Sequence, residues 1–215
     1  MEKSKSSYLM NNLSYDIKSD LPLKLYTNFR KDIIHIPNFF SAEELQPFEL
    51  EIAKIRDTIN FAILDPHTVG MVNKYKYICH DNGRYDIWPI AEHIKTPDFL
   101  KDFTQKSVGC LYLNKHTFTD GKYHKDTVDL FPDISNTILP PFYYNMLVAT
   151  CDQTLLNGPT VFLLDETLWW VNLKKGDALI FNGEIIHRGT QNGSDMHRDL
   201  IYAIYTKEWY NEEIL

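Results

Sequence analysis

Three cysteines are scattered singly along the chain, at Cys79, Cys110 and Cys151, and no Cys-x-x-Cys pair brings two of them together. That excludes a disulfide framework and a zinc–thiolate site, and leaves reduced, buried thiols as the expectation. No uninterrupted apolar run approaches the roughly 18 residues of a membrane span, so no membrane partner is expected. The opening MEKSKSSYLMNNLSYDIKSD also lacks the apolar core, about 7–15 residues long, of a secretory signal. A cytoplasmic protein is therefore expected. Basic residues are in the minority: 22 Lys and Arg stand against 29 Asp and Glu, for a net charge of −7. Nucleic-acid affinity rests on clustered cations, so no nucleic-acid partner is expected either.

What the chain has is aromatic bulk. Thirteen Tyr, twelve Phe and four Trp in 215 residues suit a large aromatic core or an aromatic-lined cavity. The length suits one substantial domain rather than two. Residues 1–22 are polar and read as a loose arm, leaving 23–215 as a single domain.

In that domain, KDIIHIPNFF reads as a strand ending at Pro37. SAEELQPFELEIAKIRDTI reads as a helix: Ser41 and Glu44 form a capping box, and Leu45, Phe48, Ile52 and Ile55 share its core face. Asn60 to Pro97 is punctuated by Pro66, Gly70, Gly83 and Pro89, and reads as short strands and loops. Thr96 to Gln105 reads as a short helix capped by Thr96, with Pro97 in its first turn. From Val108 the texture becomes β: VGCLYLN, a stretch ending GKYH, YYNMLVATC, TVFLL, LWWVNL, DALIFN, the strand of His187, and RDLIYAIYTKEWY. Turns fall at Asn157-Gly158-Pro159 and at Lys174-Lys175-Gly176-Asp177. About eight short strands at this spacing indicate a sandwich or barrel, here mainly β with flanking helices and a core over about 108–207.

His124-x-Asp126 places two ligand-type side chains on one side of an extended chain, because strand side chains alternate. Alone the pair says little, since His197-x-Asp199 has the same form and a solvated loop would explain either. His187, on a later strand, can complete two imidazoles and a carboxylate on one face of a metal. Such a face leaves positions open and suits non-haem Fe(II) that must also bind a cosubstrate and O2. Arg198, opening the last strand, carries a forked cation that suits the distal carboxylate of a dicarboxylic keto acid. The His197/Asp199 pair has no later His and is assigned to the surface or a turn.

GDALIF, His187 and NGSDMHRDLIYAIY resemble the C-terminal half of the phytanoyl-CoA dioxygenase-like oxygenases, within the Fe(II)/2-oxoglutarate-dependent oxygenase superfamily. His124-x-Asp126, Asn157-Gly158-Pro159-Thr160 and the opening DIIHIPNFFSAEEL match in order, so the resemblance spans roughly residues 30–210. It implies a double-stranded β-helix (jelly-roll, cupin-like) core, with the dyad after the second strand, the distal His on the seventh and the Arg on the eighth. It implies Fe(II) on His124, Asp126 and His187, 2-oxoglutarate as cosubstrate on Arg198, and hydroxylation of a small molecule with release of succinate and CO2. In halogenating relatives a small residue replaces the carboxylate; Asp126 favours hydroxylation, while desaturation or cyclisation would use the same ligands. Many relatives place a small hydroxyl residue two positions after the Arg, where this chain has Leu200. Tyr112 and Asn114 are the candidates for that second keto-acid contact, against a reading as ordinary strand residues.

Arg84, in GRYDIW, is a candidate for binding an acidic substrate group, against a structural pairing with Asp86. Trp169 and Trp170 should face opposite sides of their strand and pack in the core, with a cavity wall as the alternative. Cys110 and Cys151 read as buried filler, and His35, His67, His80, His93 and His116 as surface or satisfied core histidines. A metalloprotein that takes no 2-oxoglutarate, an inactive β-barrel binding module, and an oxygenase acting on a peptide stay open on the sequence.

Overall fold

A computed structural model describes residues 21–26, 32–58, 93–113, 115–116, 120–127 and 141–210. The expected arm lies outside the described residues apart from Leu21 and Pro22. Two sheets face each other. The smaller runs β1-β6-β5-β8 and the larger β2-β7-β4-β9-β3. The strands are β1 (Leu23–Leu25), β2 (Ile33–Ile36), β3 (Thr104–Leu113), β4 (Tyr143–Ala149), β5 (Thr160–Leu164), β6 (Thr167–Trp170), β7 (Ala178–Asn182), β8 (His187–Gly189) and β9 (Arg198–Thr206). From Thr104 onward this reproduces the expected strands with one exception. The stretch ending GKYH, described from Asp120 on, forms no continuous strand among the described residues, and His124 bridges to His187 on β8. Upstream, β1 joins the smaller sheet parallel to β6, and β2 joins the larger one antiparallel to β7.

One helix, α1 (Ala42–Thr58), covers the outer face of the larger sheet. Its start is set locally: Ser41 N–H donates to Glu44 Oε2 at 2.8 Å and Glu44 N–H to Ser41 Oγ at 3.3 Å. Leu45, Phe48 and Ile52 are buried against Met146, Val148, Ile180, Ile201 and Ala203. Truncating any of these three to Ala removes contacts worth about 2–5 kcal/mol. On β9 the alternate residues Leu200 and Tyr202 turn the other way, into the space between the sheets, with Leu147, Phe162, Leu179 and Phe181. The larger sheet is thus buried on both sides, which is why all seven residues of β4 are buried.

The helix expected from Thr96 is a single 3₁₀ turn, Asp98–Leu100, with Pro97 in the capping position and no side-chain cap. The Thr96 hydroxyl is used elsewhere, 3.2 Å from the Tyr205 hydroxyl, and by Thr104 the chain has entered β3. The Lys174–Asp177 turn closes on Asp177, whose carboxylate accepts from the N–H groups of Asn38 and Lys174 and contacts His35 Nε2 at 2.8 Å. Gly176 has φ +90° there, and a Cβ would come within 2.3 Å of the Phe40 carbonyl oxygen, so only glycine fits. Trp169 packs between the sheets and Trp170 on the opposite face. No described helix is long and apolar enough to cross a membrane.

Candidate metal centre

Two backbone hydrogen bonds begin the site. His124 N–H donates to the His187 carbonyl at 3.0 Å, and His187 N–H returns to the His124 carbonyl at 2.9 Å. Residues paired this way across an antiparallel bridge point to the same face. Their rings accordingly meet, with centroids 4.5 Å apart. Two residues on, alternation brings Asp126 to that face, and its N–H donates to the Gly183 carbonyl at 2.9 Å. Asp126 Oδ1 lies 3.6 Å from His124 Nε2, and Oδ2 lies 3.2 Å from His187 Nε2. One ligand atom from each of the three side chains falls within 4.8 Å of the others, a spacing that can hold one metal ion.

The proton positions follow from what surrounds the rings. His124 Nδ1 is 2.8 Å from the Lys122 carbonyl oxygen, and His187 Nδ1 is 2.8 Å from that of Ile185. A carbonyl only accepts, so each Nδ1 carries a hydrogen, and Nε2, the nitrogen that faces Asp126, is the one left with a lone pair in a neutral ring. Burial among Phe162 and Phe181 pushes the His187 pKa down; Asp126 pulls it partly back and His124 adds to the depression. A neutral imidazole is the form that ligates a metal.

Arg198 stands apart from the three, as the first residue of β9. It shares the face of Leu200 and Tyr202, toward the space between the sheets, and is 6% exposed. Its Nη1 donates to the carbonyl of Gly158, delivered by the Asn157-Gly158-Pro159 turn. No carboxylate pairs with it among the described residues, and its buried Nε has no hydrogen-bond partner there. Burial pushes its pKa down to about 10. A buried cation with donors to spare could receive an anion.

Tyr112 is a β3 residue in register with Asp199, whereas Leu113 is in register with Arg198. Asn114 and Arg84 lie outside the described residues. Arg188, the neighbour of His187, is committed to Asp120 at 2.8 Å and to the Tyr123 ring at 4.3 Å. Of the second His-x-Asp pair, Asp199 is a strand residue rather than part of a turn. It lines, with His197, Glu49, Thr150 and Cys151, a depression of about 460 Å³. Among the described residues no third ligand atom joins that pair at metal-sharing distance.

No protein-family model matches the chain, and no curated protein matches it. Solved structures do. EvdMO1 superposes with a TM-score of 0.59 at 12% identity over 82% of this chain and 47% of its own, so the chain spans about half the length of that protein. HygX from Streptomyces hygroscopicus, solved with nickel and 2-oxoglutarate bound, superposes with a TM-score of 0.53 at 16% identity, covering 84% of this chain and 85% of its own. The non-haem 2-oxoglutarate-dependent carbocyclase SnoK from nogalamycin biosynthesis gives 0.54 at 13%, covering 82% and 79%. The chain has their fold, a jelly roll.

Two parts of the site leave almost no trace in the sequence. Asn145 of β4 donates from Nδ2 to Asp126 Oδ2 at 2.5 Å. Gly183, just after β7, accepts from Asp126 N–H and donates its own N–H to the Tyr143 carbonyl at 3.0 Å. The only signal for Asn145 is a lone amide in the apolar run YYNMLVA. Gly183 has no room for a side chain, because a Cβ would sit 2.4 Å from the Tyr143 ring. Gly183→Ala should therefore displace the carbonyl that holds Asp126. We expect about a tenfold loss of divalent-metal affinity by calorimetry, with a stability cost of about 1–3 kcal/mol by urea unfolding. Unchanged affinity would mean that the Asp126 backbone is held independently of Gly183.

Proposed function

We propose that the protein is an Fe(II)- and 2-oxoglutarate-dependent oxygenase that hydroxylates an unactivated C–H bond of a small molecule, with release of succinate and CO2. The observation that carries this reading is the His124/Asp126/His187 cluster, with Nε2 of both rings facing one carboxylate. Two neutral imidazoles and one carboxylate occupy one face of an ion and leave the other positions for cosubstrate and dioxygen. Iron with 2-oxoglutarate supplies, when bound, the oxidising power from O2 that an unactivated C–H bond requires.

The chain's own part is to hold and orient. His124 and His187 would ligate through Nε2, each fixed in tautomer by a backbone carbonyl. Asp126 supplies the anionic ligand, and its presence favours oxygen insertion over halogenation. Arg198 would meet the far carboxylate of 2-oxoglutarate with a parallel pair of N–H donors, for which its buried, unpaired Nε supports the fit. A metalloprotein that takes no keto acid would leave that guanidinium buried without an anion.

HygX has also been solved with hygromycin B bound, which supports a small-molecule substrate here. The narrower phytanoyl-CoA dioxygenase-like assignment is part of the proposal. Anaerobic titration of the full chain should show one Fe(II) bound per molecule, and added 2-oxoglutarate should raise a visible charge-transfer band. Screening small molecules for stimulated succinate release then identifies the substrate. Full iron binding with no response to 2-oxoglutarate would leave a metalloprotein of the same fold.

A further inference from the structure

We propose that Asn145 is a positioning residue that restricts Asp126 to ligating a metal through one oxygen, a role that rests on the metal site proposed above. Asn145 lies in the middle of β4, where all seven residues are buried. Its inward-facing strand neighbours Leu147 and Ala149 belong to the apolar core between the sheets, and its cross-strand partners are Phe181 and Ile204. It is itself only 7% exposed. A buried amide in apolar surroundings costs about 1–3 kcal/mol unless it is hydrogen-bonded, so its presence there calls for a partner.

The partner is Asp126 Oδ2, 2.5 Å away and 19 residues distant in sequence. A carboxylate can only accept, so the Asn145 nitrogen is the group that faces it. That N–H occupies one lone pair of Oδ2, which also lies 3.2 Å from His187 Nε2. Oδ1, 3.6 Å from His124 Nε2, receives no side-chain hydrogen bond among the described residues. The two oxygens are therefore unequal before any ion arrives. A carboxylate bound through both oxygens would take two positions on the ion. One held through a single oxygen takes one and keeps a further position for the cosubstrate. Because Asp126 is also tied through its backbone to Gly183, both ends of the residue are fixed and its carboxylate is pre-oriented.

Co(II) binding to the full-length protein tests this, read by calorimetry and by the visible d–d spectrum, which reports coordination number and geometry. Asn145→Leu keeps the volume and removes the donor. We expect Co(II) affinity to fall at least tenfold and the spectrum to change, while the metal-free melting temperature stays within a few degrees of wild type. If the leucine variant does not melt cooperatively, Asn145→Ala takes its place under the same criteria. A folded variant that binds Co(II) within twofold of wild type, with the same spectrum, overturns the inference and leaves the metal site standing. Wild-type protein that binds no Co(II) overturns both.

Discussion

His187→Ala should lower Fe(II) affinity by at least about 100-fold and abolish any turnover, with the fold intact. The imidazole is one of the three proposed ligands, and losing even a group that merely orients a ligand costs about 10–100-fold. It is also the best fixed of the three: 7% exposed, backed by Phe162 and Phe181, and held at Nδ1 by the Ile185 carbonyl. The vacated space should cost roughly 1–3 kcal/mol of stability, too little to unfold a domain of this size. A pH series adds a second readout. Burial places the folded-state pKa of His187 below the ordinary 6.5. From about pH 6.5 downward the unfolded chain therefore takes up a proton that the folded one resists. Metal-free stability falls as pH falls through that window, and His187→Ala should remove this part of the slope. Wild-type metal affinity in the variant would place the ion elsewhere.

Arg198 should show the opposite signature: loss of cosubstrate binding without loss of metal. A charge-assisted, two-pronged contact in a buried pocket is worth about 1.5–3 kcal/mol, or roughly 10- to 150-fold in binding. Arg198→Lys should raise the Michaelis constant for 2-oxoglutarate within that range, since an ammonium offers a point charge at a different reach. Fe(II) affinity should change less than threefold. Arg198→Met goes further. The guanidinium's pKa, lowered to about 10 by burial, marks a charge whose burial destabilises the fold throughout the range below that pH, by an amount on the order of a few kcal/mol. Removing the charge relieves this and sacrifices the bond to Gly158. The cosubstrate-free variant should therefore melt no lower than wild type, while the stabilisation by added 2-oxoglutarate disappears. A variant that still gains stability from 2-oxoglutarate would move the anion site to another cation.

Features decided locally were legible from the sequence. The Ser41/Glu44 capping box starts α1 where the spacing predicts it, because its hydrogen bonds span three residues and need no tertiary partner. β-Branched and aromatic runs mark the strands from Val108 on, and alternation alone brings His124 and Asp126 to one side. Where tertiary partners decide, the sequence misleads or is silent. Thr96 makes a plausible helix cap, yet its hydroxyl is drawn to Tyr205, 109 residues away. GKYH is strand-like in composition but forms no continuous strand among the described residues, where His124 bridges to His187. Asn145 and Gly183 act on Asp126 through the order of strands in the larger sheet and the bulk of the Tyr143 ring. Nothing in the residues flanking either position states that.

The two histidines hang from the smaller sheet, while Gly183 and Asn145 tether Asp126 to the larger one. An ion held by all three would therefore act as a clasp between the layers. Opening this end of the barrel would require the clasp to be released first. At 100 times its dissociation constant, the ion would resist global unfolding by about 2.7 kcal/mol. Its local effect should be seen in amide hydrogen exchange: the N–H groups of Asp126, Gly183 and His187, on opposite sides of the seam, should slow together when metal is added. Chelation should set all three free at once, so that the loss of reactivity and the loosening of the barrel mouth become a single event.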